Sequence, residues 1–440
     1  MSIPGSITAR RSGLAVAFLC FAIIVADGYD MVIYGAALPE LLDEPGWHLS
    51  KSTAGLIGSW TLGGLMLGFL AAGPLADRRG RRSALFAGII LFSAGSLLSA
   101  LAPSVAVFGV SRFITGVGIG AVVPSAVALT LEYAPPKRRM LYNGAMLTGF
   151  SFGGILASLV AMWMLPHLHW RSLFWVAACF IVLLPVMYLR LPESVEYLVR
   201  SGRLDEARAL AAQYGRQDTI DGAVLAASAA PTADRQGGLR TLATSSMVVR
   251  VVLFVLISIC VNVMVYGLNT WAPALMRSQG YALGSSLQFL LALQAGGVIG
   301  AVIGSYFADR VGPGKVVPAL FLIGVVALAV LTNKMDTGLL LVAIVFAGIG
   351  GTGTNTVLYG FVANNFPENA RGSALGVIMG LGRTGAMLGP AVAGWILDAG
   401  HGASWAFYAF MIPGAIGAVL ALAVPVVVRR RRESLEPVAA

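Results

Sequence analysis

The sequence predicts an all-helical integral membrane protein with twelve transmembrane helices, and three observations lead to this prediction. First, hydrophobic residues fill 57% of the 440 positions and charged residues only 11%, whereas a soluble domain carries about 25% charged residues. Second, the apolar residues form runs that reach the roughly 20 helical residues needed to cross a bilayer. Third, lysine and arginine concentrate in alternate loops between these runs.

The apolar runs form two groups of six. The first group lies near residues 14–42, 52–76, 83–102, 104–132, 139–165 and 171–190. The second group lies near residues 248–275, 284–308, 316–333, 337–364, 372–398 and 403–428. We therefore expect an N-terminal six-helix bundle over residues 1–190, a cytoplasmic central loop over 191–245, and a C-terminal six-helix bundle with a basic cytoplasmic tail over 246–440.

The distribution of lysine and arginine predicts the side on which each loop lies. Cytoplasmic loops of membrane proteins carry an excess of these residues. When the termini, the central loop and alternate short loops are assigned to the cytoplasm, the opposite side keeps only Lys51, Arg171, Arg277 and Lys334. The net charge of +10 is therefore explained by topology and not by a nucleic-acid-binding surface. We expect a multi-pass protein of a bacterial-type inner (plasma) membrane with both termini in the cytoplasm.

The central loop changes composition part-way along. Its first part, from Arg203 to Tyr214, has apolar residues at helical spacing, and Gly215 is a typical helix terminator. The second part is rich in Ala, Thr, Asp and Gly, which predicts a linker between the two bundles.

A loop motif occurs twice, at the same place in each half. Between spans 2 and 3 the sequence reads Gly-Pro-Leu-Ala-Asp-Arg-Arg-Gly-Arg-Arg over residues 73–82. Between spans 8 and 9 it reads Gly-Ser-Tyr-Phe-Ala-Asp-Arg-Val-Gly-Pro-Gly-Lys over residues 304–315. Both copies carry Ala-Asp-Arg followed by glycine and a basic residue. Such an internal repeat indicates that the two halves are related by duplication.

These loops resemble the signature of the major facilitator superfamily, and the first copy fits it at nearly every position. The resemblance covers the whole chain and implies that superfamily's fold, with two pseudo-symmetric six-helix bundles. In that family the signature locks the cytoplasmic gate, which implies gating roles for Asp77 and Arg81, and for Asp309 in the degenerate second copy. Glu132, near the end of span 4, is predicted either to pair with a basic loop residue of this gate or to be a solvated end charge. The alternative for the loop residues is that they only fix topology.

Span 1 carries Asp-Gly-Tyr-Asp over residues 27–30, followed by Tyr34 and Gly35. This motif looks like the first-helix motif of the aromatic acid:proton symporter family, and the Tyr-Gly continuation suggests its benzoate-type members. Span 4 has Arg112 ahead of closely spaced glycines, which resembles the fourth-helix motif of the superfamily. Span 11 has Arg383 within Gly-Arg-Thr-Gly, which is similar to the aromatic acid:proton symporter family too. The resemblance implies a symporter that imports a small aromatic carboxylate, of the benzoate or hydroxybenzoate type, together with protons by alternating access.

Four ionisable residues lie in the middle of predicted spans, namely Asp27, Asp30, Arg112 and Arg383. Each costs about 2.5–3.5 kcal/mol on insertion scales, and such residues usually face a bundle interior or a water-filled cavity. Asp27 and Asp30 are three residues apart and share a helix face. Two neighbouring carboxylates repel each other, and burial disfavours their ionised forms. We therefore expect at least one of them to exchange protons, with Arg112 in the relay. The alternative is that one aspartate pairs permanently with Arg112 and holds the bundle together.

The two arginines suit an anionic substrate, because a guanidinium presents a rigid pair of donors that matches a carboxylate. One arginine comes from each half, so both can reach a site between the bundles, where transporters of this kind bind. We assign Arg383 to the substrate carboxylate, with a structural ion pair as the alternative. Candidates for the apolar walls around an aromatic ring are Tyr29, Tyr34, Trp60, Tyr266 and Tyr359. Candidates for hydrogen bonds to a ring hydroxyl are Asn262, Gln294 and Asn355.

Other function classes find less support in the sequence. It contains no Walker loop and no His-Glu-x-x-His zinc motif. Strings similar to a nucleophile elbow (149–153) and a dinucleotide fingerprint (348–353) lie within predicted membrane helices and lack the strand contexts they need. An enzyme, a metal and an organic cofactor are therefore not expected. The superfamily resemblance implies a monomer, and its expected partners are its substrate, protons and membrane lipid. Transport of another small organic acid, or export of a drug-like molecule, is the alternative on the same fold.

Overall fold

The computed structural model describes residues 13–217 and 245–433, together with positions 220, 224 and 242. The predicted linker between the two halves falls largely outside the described residues, as do residues 1–12 and the end of the predicted basic tail, 434–440. Within the described part of the chain, twelve helices are long and apolar enough to cross a membrane. This result confirms the predicted number of spans.

The spans are numbered here in chain order. The first six are Gly13–Leu42, Lys51–Arg79, Arg81–Leu101, Val105–Tyr133, Leu141–Met164 and Arg171–Arg190. The last six are Met247–Ser278, Ser286–Val311, Pro313–Leu331, Thr337–Asn365, Ser373–Asp398 and Ala403–Pro425. The helices of spans 7, 8, 11 and 12 run beyond these bounds, over Ser245–Ser278, Leu283–Val311, Glu368–Asp398 and Ala403–Glu433. Each span agrees with its prediction to within a few residues.

Three spans are interrupted along their length. Span 5 consists of Arg139–Leu147 and Gly149–Met164, preceded by a 3-10 turn at Pro136–Arg138. Span 6 has the 3-10 turn Cys179–Val182 between Arg171–Ala178 and Leu183–Arg190. Span 10 has the π-helical turn Ile349–Gly353 between Thr337–Gly348 and Thr354–Asn365. Such π turns inside membrane helices often occur close to functional sites.

Glycines allow spans 2 and 4 to approach each other closely. A Cβ on Gly116 would lie 2.0 Å from the carbonyl oxygen of Thr61, and a Cβ on Gly120 would lie 2.0 Å from that of Leu65. Backbones at this separation leave no room for a side chain, which is the packing mode that small residues provide in membrane bundles. The glycines that follow Arg112 therefore fix the position of this arginine inside the N-terminal half.

The described start of the central loop is helical and packs on the N-terminal half. It contains the helix Val195–Arg200, which the sequence reasoning did not predict, and the helix Leu204–Tyr214, which it did. The second helix ends at Gly215, whose φ is +62°. Tyr214 packs edge-on against Tyr133 of span 4, with ring centroids 4.7 Å apart. This part of the loop is therefore an extension of the N-terminal bundle.

The two halves are held together at the end opposite the central loop. Arg277 of span 7 lies 3.0 Å from Asp43, which follows span 1, and Ser52 of span 2 donates to Asp398 of span 11 at 2.7 Å. In the same region a Cβ on Gly35 would lie 2.0 Å from a carbonyl oxygen of span 7. Side-chain contacts and close backbone packing thus close this end of the interface.

The turn between spans 2 and 3 depends on Gly80, whose φ is +91°. Replacing Gly80 by Ala is expected to lower the free energy of unfolding by about 1–3 kcal/mol, because side chains are strained in this backbone region. The new Cβ would also lie 2.4 Å from Oε2 of Glu193. Thermal unfolding of the purified protein in detergent measures the change.

Gly73→Ala is the matched control, because a Cβ at Gly73 meets no atom within 4 Å. Equal melting temperatures for the Gly73 and Gly80 variants would contradict the prediction.

Candidate functional site

A buried ion pair joins spans 1 and 4. Nη1 of Arg112 donates to Oδ1 of Asp30 at 2.7 Å, and Nη2 donates to Oδ2 at 2.8 Å, which is the bidentate geometry of a strong charge-assisted pair. The two side chains are 1% and 0% exposed. The guanidinium carbon also lies 5.7 Å and 5.4 Å from the ring centroids of Tyr34 and Phe174. Asp30 is therefore the aspartate that pairs with Arg112, inside the N-terminal half.

Tyr29 and Tyr34 are packed around this ion pair. The hydroxyl of Tyr29 donates to the carbonyl oxygen of Leu173 at 3.2 Å, and that of Tyr34 donates to the carbonyl oxygen of Ala54 at 2.5 Å. Tyr29 is 0% exposed and Tyr34 is 3% exposed. Because both hydroxyls are engaged and both rings are buried, packing explains these tyrosines better than the predicted contact with a substrate ring.

Asp27 has a different environment from Asp30. It is 9% exposed, and its Oδ1 has no hydrogen-bond partner among the described residues. It borders a small cavity between spans 1, 3, 4 and 6, and every other residue that lines this cavity is apolar. Asp27 also interacts through space with the charge of Arg383 in the other half. The two aspartates of span 1 are thus separated: Asp30 is neutralised by its own half, and Asp27 has no direct partner there.

Arg383 lies in span 11, next to tyrosines of the C-terminal half. Its Nη1 donates to the hydroxyl of Tyr266, and its guanidinium carbon lies 5.7 Å from the centroid of that ring. Its charge also interacts through space with that of Asp27 in the other half. Within the described residues, no carboxylate forms an ion pair or hydrogen bond with Arg383. Its remaining donors are therefore available to an anionic ligand.

Three amide side chains that were predicted to form hydrogen bonds with a ring hydroxyl lie in the same half as Arg383. Asn262 of span 7 is 4% exposed and donates to the carbonyl oxygen of Ser258 at 2.7 Å. Gln294 of span 8 is 5% exposed and makes no hydrogen bond with a described residue. Asn355 of span 10 is partly buried. Three different spans thus bring polar groups to the half that carries the unpaired arginine.

Trp60 lies apart from this group. It is 49% exposed and lines an apolar groove where spans 2, 4 and 11 meet, together with Gly63, Val110, Phe113 and Met387. Since no polar side chain lines this groove, contact with lipid explains Trp60 better than the predicted place in a substrate site.

A cluster of charged residues joins the first signature loop to the central loop. Arg81 donates to Glu132 at 2.9 Å and to Glu196 at 2.6 Å. Glu132 is 8% exposed and also accepts a hydrogen bond from the backbone N–H of Glu196, so it is a buried partner of the loop and not a solvated end charge. Asp77 lies 3.5 Å from Nη1 of Arg200. The signature residues predicted to gate are therefore held by the helix Val195–Arg200.

The second copy of the signature has no such cluster. Asp309 is exposed and makes no ion pair or hydrogen bond with another described residue. The guanidinium carbon of Arg310 lies 4.3 Å from the ring centroid of Tyr306. The gating role of Asp309 stays a prediction, and no contact among the described residues supports it.

The central-loop residues that pair with the first signature loop were not predicted from the sequence. Glu193 and Glu196 accept hydrogen bonds from the signature loop, and Arg200 pairs with it. A signal for this helix was present, because Ser194 caps its N-terminus and an acidic residue lies in its first turn.

Comparison with known proteins identifies the family. The model of the Major Facilitator Superfamily matches residues 19–333 and 289–440. The chain belongs to the major facilitator superfamily. It is accordingly a multi-pass membrane transporter and not an enzyme.

Relatives in this superfamily are similar over most of their length. The benzoate transport protein of Acinetobacter baylyi is 34% identical over 413 residues, which cover 92% of this chain and 88% of that protein. The gentisate transporter of Corynebacterium glutamicum is 32% identical over 431 residues, which cover 97% and 89%. The inward-open xylose transporter of E. coli superposes with a TM-score of 0.75 at 17% identity, covering 93% of this chain and 95% of that one. This similarity confirms the major facilitator fold.

The thermal stability of this protein is expected to depend on the Asp30–Arg112 pair. Arg112→Gln leaves a buried carboxylate without its partner, which costs about 3–5 kcal/mol. The double variant with Asp30→Asn removes both charges and is expected to recover part of this loss. Thermal unfolding in detergent of the single and double variants measures the coupling, and a double variant no more stable than Arg112→Gln would contradict it.

Proposed function

We propose that this protein is a proton-coupled symporter that imports a small aromatic carboxylate by alternating access. The observation that carries the proposal is the placement of two complementary charged groups that have no ion-pair partner in the part of the chain that the structure describes. Asp27 of the N-terminal half and Arg383 of the C-terminal half interact across the interface, where transporters of this fold bind their substrates. A proton neutralises Asp27, and a substrate carboxylate pairs with Arg383.

The substrate carboxylate binds Arg383 in this proposal. One guanidinium nitrogen already donates to Tyr266, which orients the group and leaves its other donors for the ligand. Fork-shaped donors match carboxylates in shape as well as charge. The ring of Tyr266, 5.7 Å from the guanidinium carbon, and the half-exposed ring of Tyr359 provide flat apolar surface for an aromatic substrate.

In this proposal Asp27 carries the coupling proton, and Asp30 forms the ion pair with Arg112. Burying a carboxylate without a partner is costly unless the group is neutralised, so the occluded state is stabilised when Asp27 takes up a proton. Asp30 is unsuited to this role, because both of its oxygens accept hydrogen bonds from Arg112. Arg112 therefore acts through Asp30 and Asp27 and not on the substrate.

The proposed orientation in the membrane follows from the distribution of positive charge, and the proposed conformational state follows from the closed end of the interface. The excess of lysine and arginine in the alternate loops supports cytoplasmic termini in a bacterial inner membrane. The contacts of Arg277 with Asp43 and of Ser52 with Asp398 then close the outer end, which corresponds to the state that releases substrate to the cytoplasm. We propose a monomer with no cofactor beyond the coupling proton.

The aromatic substrate class is favoured over other small organic acids. The ring of Tyr266 lies beside Arg383, which has no ion-pair partner among the described residues, and an aliphatic acid gains nothing from stacking on this ring. The similar proteins named for benzoate and gentisate transport support the same class.

Uptake into proteoliposomes tests the proposal. Radiolabelled benzoate and 4-hydroxybenzoate are offered with and without an inward proton gradient, and succinate and xylose serve as competitors. We expect the proton gradient to drive accumulation of the radiolabelled acid. Unlabelled aromatic acids should inhibit this accumulation by competition, and succinate and xylose should not. If wild-type protein that is shown to be correctly folded takes up no aromatic acid, this result contradicts the proposal.

Two variants separate the roles of the charged residues. Asp27→Asn is expected to abolish gradient-driven accumulation and to keep substrate exchange without a gradient, because only the proton step is lost. Arg383→Gln is expected to raise KM by at least about tenfold, since a charge-assisted hydrogen bond is worth about 1.5–3 kcal/mol. The matched controls are Asp205→Asn and Arg203→Gln, whose side chains are exposed on the central loop and whose replacement leaves uptake unchanged.

A further inference from the structure

We propose that His169 forms a second proton-responsive site, at the outer end of the molecule, and that protonation of this histidine favours opening of that end. The site is separate from Asp27, which lies inside the membrane. The inference rests on the alternating access and the orientation of the proposed function, and it adds a control of the outer gate by the pH on the outer side of the membrane.

Glu44, just after span 1, is the centre of a contact cluster at the outer end. Its Oε2 accepts a hydrogen bond from Nε1 of Trp170 at 2.8 Å and lies 2.9 Å from Nε2 of His169. Its Oε1 accepts a hydrogen bond from Nη1 of Arg171 at 3.1 Å. Nη2 of Arg171 donates to the carbonyl oxygen of Ala102, after span 3, at 2.9 Å. Glu44, whose side chain is only 11% exposed, therefore joins three outer loops of the N-terminal half.

The same turn of the chain carries the ion pair that closes the outer end. Asp43, next to Glu44, lies 3.0 Å from Nη2 of Arg277 in the other half. Nη1 of Arg277 also donates to a carbonyl oxygen of span 1 at 3.2 Å. Glu40, one turn before Glu44, interacts through space with both Arg277 and His169. His169 of the N-terminal half and Arg277 of the C-terminal half therefore act on the same group of carboxylates.

The charged groups around His169 come from both halves of the molecule. They are the carboxylates of Glu40, Asp43 and Glu44 at the end of span 1, the guanidinium of Arg171 at the start of span 6, and that of Arg277 in span 7. Histidine is the side chain whose ordinary change of charge falls between about pH 5 and pH 8, and both arginines stay protonated in this range. The side chain of His169 is 51% exposed, so protons from the outer side reach it.

Protonation of His169 weakens the attraction of the N-terminal half for Arg277. When His169 is neutral, the three carboxylates face two arginines, and the excess negative charge attracts Arg277 across the interface. A positive charge on His169 removes this excess and repels Arg277. The ion pair of Arg277 with Asp43 is then less favourable, and the outer end opens more often. The two side chains of this pair are 41% and 66% exposed, so screening by solvent keeps the effect small.

Opening at low external pH suits a carrier that is driven by an inward proton gradient. The outer end then opens most when the outer side is acidic, which is the condition under which protons drive import. When the outer side is alkaline, the outer end stays closed, and this limits the loss of substrate through the carrier.

Distances between the two halves test this inference without a transport step. Spin labels are attached to Pro103→Cys and Gly402→Cys, which are exposed at the outer end of opposite halves. The exposed Cys179 is replaced by Ser, and pulsed electron paramagnetic resonance is recorded on the substrate-free protein in nanodiscs. With His169 in place, we expect the ratio of outer-open to outer-closed molecules to rise about two- to fivefold between about pH 8 and pH 5.

Two substitutions fix the charge at position 169. His169→Gln is neutral and is expected to keep the alkaline ratio at every pH, whereas His169→Arg is charged and is expected to keep the acidic ratio. The matched controls are His167→Gln and His401→Gln, which are exposed at the same end and form no ion pair in the part of the chain that the structure describes. Both controls are expected to keep the wild-type response. Each variant is also measured together with Asp27→Asn, which removes the other proposed proton site.

The outcomes separate this inference from the proposed function. A ratio that does not change with pH when His169 is in place overturns the inference, and so does an equal pH response in His169→Gln. Either result leaves the symporter in place when the proton gradient drives uptake of an aromatic acid. A pH response that His169→Gln loses, in protein that takes up no aromatic acid, supports the second site and overturns the proposed function.

Discussion

The arrangement of charges in this transporter depends on the ion pair between Asp30 and Arg112. Two ionised groups inside a membrane-spanning bundle are tolerated only when they satisfy each other, and here the two terminal guanidinium nitrogens donate to the two carboxylate oxygens. The glycines of span 4 bring its backbone against span 2 and thereby set the position of Arg112. Because Asp30 is occupied in this way, Asp27 becomes the carboxylate without a partner. The pair therefore decides which of the two aspartates is available for chemistry.

The two halves contribute opposite and complementary groups to the interface. Among the described residues, the N-terminal half neutralises Asp30 and leaves Oδ1 of Asp27 without a partner, whereas Arg383 of the C-terminal half has a tyrosine hydroxyl as its hydrogen-bond partner. In the proposed mechanism, a carrier whose site is incomplete on both sides is stabilised most when a proton and an anion are bound together. Electrostatics of this kind couples two ligands without direct contact between them, because each ligand removes a cost that the other would otherwise face.

The two ends of the molecule differ in whether their polar contacts stay within one half or join the two halves. At the loop end, Arg81, Glu132 and Glu196 form a cluster that stays within the N-terminal half and the central loop. At the opposite end, Arg277 and Ser52 reach across to the other half. In the proposed alternating access, contacts within one half can persist while the halves move, whereas contacts between the halves have to break when that end opens. The degenerate second signature copy, with exposed Asp309, takes no part in either set.

The sequence by itself determined the twelve spans, the duplication and the identity of the intramembrane charges. Hydrophobic run length and the placement of Lys and Arg are local properties that a bilayer selects directly, so they can be read without a structure. The tertiary structure decided the partners. Asp27 and Asp30 look equivalent in the sequence, and only the approach of span 4 distinguishes them. Tyr29, Tyr34 and Trp60 were predicted to line the site because aromatic residues suit a ring, yet helix packing places two of them around an ion pair and the third in an outer groove. Which face a residue presents depends on the rotation and contacts of whole helices, and in a helix that is apolar all round no local pattern specifies it.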